Sequence, residues 1–307
     1  GVAFSMNEKL IGLILFSAML ILLVACNGGG AKLAIEATAT VIDQPITPPK
    51  FEVLSKHPKY DCMNAEMDMF IEVFGIYVIA PDAAPRDYVI HTANILAQYI
   101  DNDEDGIPDD ADVLKHLVEN NYVVPVWATR DREDFWKEAR GTYCEDNISM
   151  QASMYYDEDE WALGGIKKKG TWDVNLEEVW HVVTAGWSGA YPEAFGIENP
   201  SLLTDAMDVA RGGNFEDVPS QYPSEAWYTY YDESCEYECQ ASEYIYWALM
   251  ANIGALDPKL TNKCDDSAHE WNICTVTELR AKDVLISQLL NDNGLQLPTR
   301  IPDGSYR

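Results

Sequence analysis

An α+β fold with more helix than strand is the expectation, and three observations carry it. Apolar residues recur three and four apart in several long stretches, as an amphipathic helix requires. Only two stretches carry the β-branched and aromatic character of strands. Tryptophan and tyrosine recur from residue 51 to residue 307, enough for one large core or two lobes sharing a cleft.

Taken in order, "CMNAEMDMFIEVFGIYVI" (62–79) has helical spacing and stops at Pro81. "PRDYVIHTANILAQYI" (85–100) opens on a proline and predicts a second helix, and residues 112–120 a short third. "NYVVPVWAT" (121–129) predicts a strand, which Pro125 pushes toward a sheet edge. Residues 153–173 read as a strand or hairpin with a glycine-lysine loop. Residues 176–185, 242–253 and 276–291 predict helices, the last long and amphipathic, and the tail from 294 is extended. No internal repeat is present.

The N-terminal part has another character. "GVAFS" reads as upstream translated sequence, and residues 6–25 as a secretory signal closing in a lipobox, "LVAC". Cys26 is then the lipidated residue, with 26–50 a flexible tether. Asn27 is not the aspartate that retains lipoproteins in the inner membrane. The expected location is therefore the outer membrane or cell surface, with the lipid as the only membrane contact. The globular part spans 51–307, divided into a calcium-loop lobe (51–150) and a metal-site lobe (151–307).

Six further cysteines, an even number in an exported chain, predict disulfides. Six allow fifteen pairings, so the spacing leaves the connectivity open. Cys264 with Cys274 would close a short loop and Cys235 with Cys239 would staple a turn, leaving Cys62 and Cys144. The net charge of −30 argues against nucleic acid or an anionic membrane surface as partner, since both would be repelled.

"DNDEDGIPDDAD" (101–112) is the strongest local signal. Counted from Asp101, carboxylates fall at positions 1 (Asp101), 3 (Asp103), 5 (Asp105), 9 (Asp109) and 12 (Asp112). Gly106 stands at the sharp turn and Ile107 offers a backbone carbonyl. Hard oxygen ligands at this spacing suit Ca²⁺. Without a cation the carboxylates would repel one another. Pro108 lacks the N–H through which paired EF-hand loops bridge, so the loop resembles the solitary calcium loops of thrombospondin type 3 repeats and dockerins.

"NLEEVWH" (175–181) is the second signal. Four residues apart on a helix, Glu177 and His181 share a face, with Glu178 on the adjoining turn. Trp172, Trp180 and Trp187 suggest a buried setting. "SEYIYW" (242–247) opens another helix with Glu243 in its first turn. The pair resembles the glutamate-zincins, most closely the anthrax lethal factor-like metallopeptidases, with a glutamate where the first histidine of His-Glu-x-x-His stands. The resemblance covers roughly residues 172–250. It implies a zincin-like single domain holding zinc on Glu177, His181 and Glu243, with Glu178 as general base. It also implies a tyrosine ahead of the second helix (Tyr228, Tyr230 or Tyr231, of which Tyr230 is preferred) assisting the reacting carbonyl of a peptide or protein substrate. Glu177 adds negative charge to the metal, which permits binding more readily than fast hydrolysis.

A glycosidase pair fits less well, because adjacent helical glutamates diverge whereas a retaining enzyme holds its carboxyls about 5–5.5 Å apart. The segment 188–228 would wall a cleft, with Arg211 available to a substrate carboxylate and Asp205 and Asp208 to orient His181. His57, His91, His116 and His269 read as ordinary surface or helix residues. From a different class, the rival expectation is a non-catalytic calcium-binding surface protein that binds peptide or glycan.

Overall fold

The computed structural model describes residues 51–152, 154–292 and 294–307. The expected signal segment, Cys26 and the tether lie outside the described residues. What is described is α+β, with a small mixed sheet and predominantly helical surroundings. None of the described helices is long and apolar enough to cross a membrane.

The sheet runs in the order β1 (Val53–Leu54), β2 (Met69–Val73), β3 (Ile76–Ala80), β4 (Val123–Trp127) and β5 (Met154–Tyr155). β1, β2 and β3 are antiparallel, whereas β4 runs parallel to both β3 and β5. The helix expected over 62–79 is therefore a correction: a 3₁₀ turn, Asp61–Ala65, precedes a hairpin. Val73 pairs with Ile76 across a two-residue turn, Phe74 and Gly75, both at positive φ (51° and 92°) as a hairpin turn of the primed type requires. Helical spacing misled because both faces of the hairpin are buried. Ile71, Val73, Ile76 and Val78 enter the main core, while Phe70, Tyr77 and Ile79 enter a smaller one behind the sheet. Such strands read as a continuous apolar run without alternation.

Pro125 does not place β4 at the edge, since β5 lies outside it. Val123 N–H donates away from β3, to the Ser149 carbonyl at 3.0 Å. By the two-residue alternation Pro125 presents its missing N–H on that same side. There β5 pairs only with Val126 and Trp127, so no ladder bond is lost.

The main core fills the space between the sheet and two helices. These are α1 (Arg86–Ile100) and the helix over Asn175–Ala190, and the core continues through residues as late as Tyr306. Between α1 and that helix come α2 (Ala111–Glu119), α3 (Thr129–Ala139), α4 (Tyr143–Asn147) and α5 (Ile166–Lys169), so the latter helix is α6. The hairpin expected over 153–173 is reduced to β5, a turn and the short α5. The remaining helices are α7 (Pro192–Phe195), α8 (Leu202–Arg211), α9 (Tyr237–Asn252), α10 (Lys263–Asp266), α11 (Val276–Lys282) and α12 (Val284–Leu290).

The single helix expected over 276–291 is broken at Asp283. That buried carboxylate accepts from Trp227 Nε1 and Tyr244 Oη, both at 2.7 Å, and caps α12 through Ile286 N. Three disulfides close the structure: Cys62–Cys144, Cys235–Cys239 and Cys264–Cys274.

Two of the histidines read as surface or helix residues are buried: His57, outside any helix, and His91, on α1. His57 packs against Tyr60, Phe70 and Tyr77, and its Nδ1 accepts from two backbone N–H groups. Burial, foremost, and the charge of Lys59 lower its pKa to about 4. His91 Nε2 meets buried Asp173 Oδ2 at 2.6 Å. His116 sits on α2 and His269 is exposed, as expected.

Candidate functional site

α6 is held at its start by α1. Asp173 accepts from Asn175 N at 3.1 Å and from its amide at 2.8 Å, and its other oxygen meets His91. Thr92 donates to Asn175 Oδ1 at 2.6 Å and Tyr99 to the Leu176 carbonyl at 2.7 Å. Downstream, α2 lies close against α6: a methyl at Gly186 would stand 2.8 Å from Leu117 and Val113. Leu176, Val179, Trp180, Val183 and Trp187 are buried on α6, as the tryptophans led one to expect. Glu177, Glu178 and His181 remain partly accessible.

α9 packs on α6 and brings Glu243 to this face. The ligand atoms of Glu177, His181 and Glu243 all lie within 4.8 Å of one another. His181 Nε2 is 3.5 Å from Glu243 Oε2, yet this buried atom completes no hydrogen bond among the described residues. On its other side Nδ1 lies 3.8 Å from Glu178 Oε2. The imidazole ring stands edge-on to Tyr246, centroids 6.1 Å apart, and Tyr246 Oη accepts from Trp172 Nε1 at 3.1 Å.

Electrostatics describe a site with surplus negative charge. Burial, then Glu243, push Glu177 up to about 7. Burial alone would lower His181, but Glu243 and Glu178 outweigh it and hold the imidazole well above its ordinary value. Without a metal the cluster thus favours a proton where a cation would sit. The donor set, two carboxylates and an imidazole whose buried Nε2 completes no hydrogen bond among the described residues, could hold a metal ion.

The three candidate tyrosines separate. Tyr228 is fully buried and donates to the Gln240 carbonyl at 2.7 Å, while Tyr231 is half exposed. Tyr228 and Tyr230 both feel Glu243, and Tyr230, less deeply buried, also feels Glu270 and Glu177: burial first, then these charges, raise its pKa. Glu270 was not foreseen. It arrives because the chain around residues 227–229 pairs with 269–272, Thr229 N donating to the Glu270 carbonyl at 2.8 Å. No sequence signal marked that pairing.

Arg211 and the α8 aspartates need correction. Arg211 is fully buried, with Nη2 2.6 Å from Asp208 and Nη1 2.8 Å from Gln240 Oε1, so it is not available to a substrate. Asp208 is spent on Arg211 and Asn214, and Asp205 is exposed on the first turn of α8. Neither is bonded to His181.

The acidic loop lies between α1 and α2. Asp101 is the C-cap of α1 and Asp110 the N-cap of α2. Asp101, Asp103 and Asp109 have carboxylate oxygens within 4.8 Å of one another. Asp105 and Asp112 are outside that group. Asp105 accepts from Ile107 N at 2.8 Å, and Asp112 stands in the first turn of α2. The Ile107 side chain is 64% exposed. Gly106, at φ 87°, donates to Asp101 Oδ2 at 2.7 Å. Burial, then the charges of Asp103, Asp101 and Asp105, push Asp109 up to about 6 against the N–H of Asn102. The tail closes over the loop: Thr299 and Arg300 N–H donate to Asn102 Oδ1, each at 2.9 Å, and Tyr306 Oη bonds Asp101. Clustered hard oxygens with uncompensated charge suit a divalent cation.

Fold and clusters together define an α+β protein with an imidazole–carboxylate group on two packed helices and a separate acidic loop. No protein-family model, curated protein or solved structure matches the chain.

Proposed function

We propose that the chain is a zincin-like, metal-dependent peptidase of the cell envelope, exported, lipid-anchored through Cys26 and stabilised by calcium in the loop 101–112. The observation that carries the reading is the convergence of Glu177, His181 and Glu243 within 4.8 Å, beside Glu178. Glu177, His181 and Glu243 would hold one divalent metal, which would supply Lewis acidity toward water and the scissile carbonyl. Glu178 takes the proton from the attacking water as the C–O bond forms. It passes that proton to the amine as the C–N bond breaks. Tyr230 donates a hydrogen bond to the oxygen on which charge develops. A second reading, a non-catalytic scaffold that binds peptide or glycan, is favoured by Glu177 itself, whose charge weakens activation of water.

Metal content comes first. Calcium-loaded protein equilibrated with zinc is expected to retain about one equivalent by elemental analysis, as three protein ligands imply, and His181→Ala or Glu243→Ala to lose it. Wild-type protein free of transition metal ends the peptidase reading.

The loop is tested separately. Chelating calcium with EGTA is expected to lower the melting temperature of the wild type, since a cation at 100 times its Kd stabilises by about 2.7 kcal/mol. An Asp103→Ala, Asp109→Ala protein should melt the same with and without EGTA. Equal shifts in both proteins would remove calcium from the loop.

A further inference from the structure

α3 segregates its charges. At about 100° per residue, Asp131, Asp134 and Glu138 fall on one side of the helix, while Arg132, Trp136 and Arg140, with Lys137 beside them, fall on the opposite side. The acidic side faces Glu66, whose carboxyl is raised by burial and then by Asp134, Glu138 and Asp131. The cationic side, with Tyr155, lines an open groove of about 430 Å³. A second hollow, of about 460 Å³, shares Arg132 and Trp136 and reaches Trp127 and Gln151.

Three features mark this surface as more than a solvated helix face. In a chain of net charge −30, the groove presents three cations against one carboxylate, Glu133. Among the described residues Lys137 and Arg140 form no ion pair, and Arg132 Nη1 donates only to the Tyr155 hydroxyl, at 3.2 Å. Trp127, 1% exposed, is among the residues lining the second hollow, and its buried indole N–H has no hydrogen-bond partner among the described residues.

We propose that this paired groove binds an anionic polysaccharide of the uronate type, independently of the candidate metal cluster. Arginine forks and a lysine match carboxylates on successive sugars. The half-buried Trp136 ring, standing between the hollows, gives a flat apolar face for the C–H side of a pyranose. The exposed Gln151 amide supplies hydrogen bonds to ring hydroxyls. An acidic peptide shares the charge complementarity but carries no pyranose face to lie against Trp136.

The test is calorimetric titration of the full protein with a short oligogalacturonate at fixed calcium, beside a neutral oligosaccharide of equal length and an oligoglutamate. The uronate is expected to bind, more weakly as salt rises, and at least about tenfold more tightly than either control. Arg132→Gln with Arg140→Gln should cost about tenfold or more, because each removes a charge-assisted hydrogen bond. Trp136→Ala should weaken binding similarly while Trp136→Phe retains most of it. Both arginines are exposed, so melting of that variant should match wild type. Absence of uronate binding, binding indifferent to these substitutions, or equally tight oligoglutamate overturns the proposal, the last in favour of a peptide occupant.

Discussion

Glu178→Gln is expected to lower peptide turnover by about 100-fold to 10,000-fold, the range general-base groups contribute, while metal content and melting temperature stay at wild-type values. The reason is positional. Glu178 approaches His181 from the Nδ1 side, at 3.8 Å, whereas Nε2, which completes no hydrogen bond among the described residues, lies 3.5 Å from Glu243. Glu178 is therefore beside the ligand group without belonging to it. Glutamine keeps the shape of the side chain but cannot take a proton from water. Glu177→Gln should behave differently, losing metal affinity together with activity. Turnover by Glu178→Gln within a few-fold of wild type, at equal metal content, would mean that the base lies elsewhere and that the helical motif has been misread.

The largest effect on stability is expected at Arg211, outside the candidate cluster. Arg211→Ala should cost about 3–5 kcal/mol, as breaking a buried ion pair by removing one partner does. For a chain of this size that lowers the melting temperature by on the order of 10 °C. The guanidinium, fully buried, bonds Asp208, Gln240 and the Phe215 carbonyl and stacks 4.9 Å from the Tyr237 ring. Removing it leaves the Asp208 carboxylate short of its countercharge and opens a cavity between α8 and the first turns of α9. Lysine should restore less than half of the loss, because one ammonium cannot make the forked contacts of a guanidinium. Chemical denaturation measures both variants. A cost below about 1 kcal/mol, the value typical of a surface pair, would show that Arg211 carries no structural load.

Much of the helical frame was legible. α1, α2, α6 and α9 were all expected, α1 behind Pro85 and α2 behind its capping Asp110, while α6 and α9 carry no side-chain cap. Two-sided buried strands and a buried helix break were not legible. The β2–β3 hairpin reads as a helix because the sheet has a core on each side, and the break at Asp283 is invisible until Trp227 and Tyr244 are brought to it. α3 and α8, both amphipathic, were passed over in stretches read as strand border or cleft wall.

The candidate residues divide in the same way. Spacing alone selected Glu177, Glu178 and His181 on one helix, and Asp101, Asp103 and Asp109 in one loop, because local geometry fixes which side chains share a face or a turn. It could not say that Asp105 and Asp112 stand outside the tightest group, which depends on where α2 begins. Nor could it say that Tyr228 is fully buried, that Glu270 joins the acids, or that His91 and Asp173 anchor α6. Those facts rest on contacts between residues tens of positions apart, set by how helices pack and how two chain segments pair. Periodicity records the environment of a residue relative to its own element, and only the packed tertiary structure decides which other element supplies that environment.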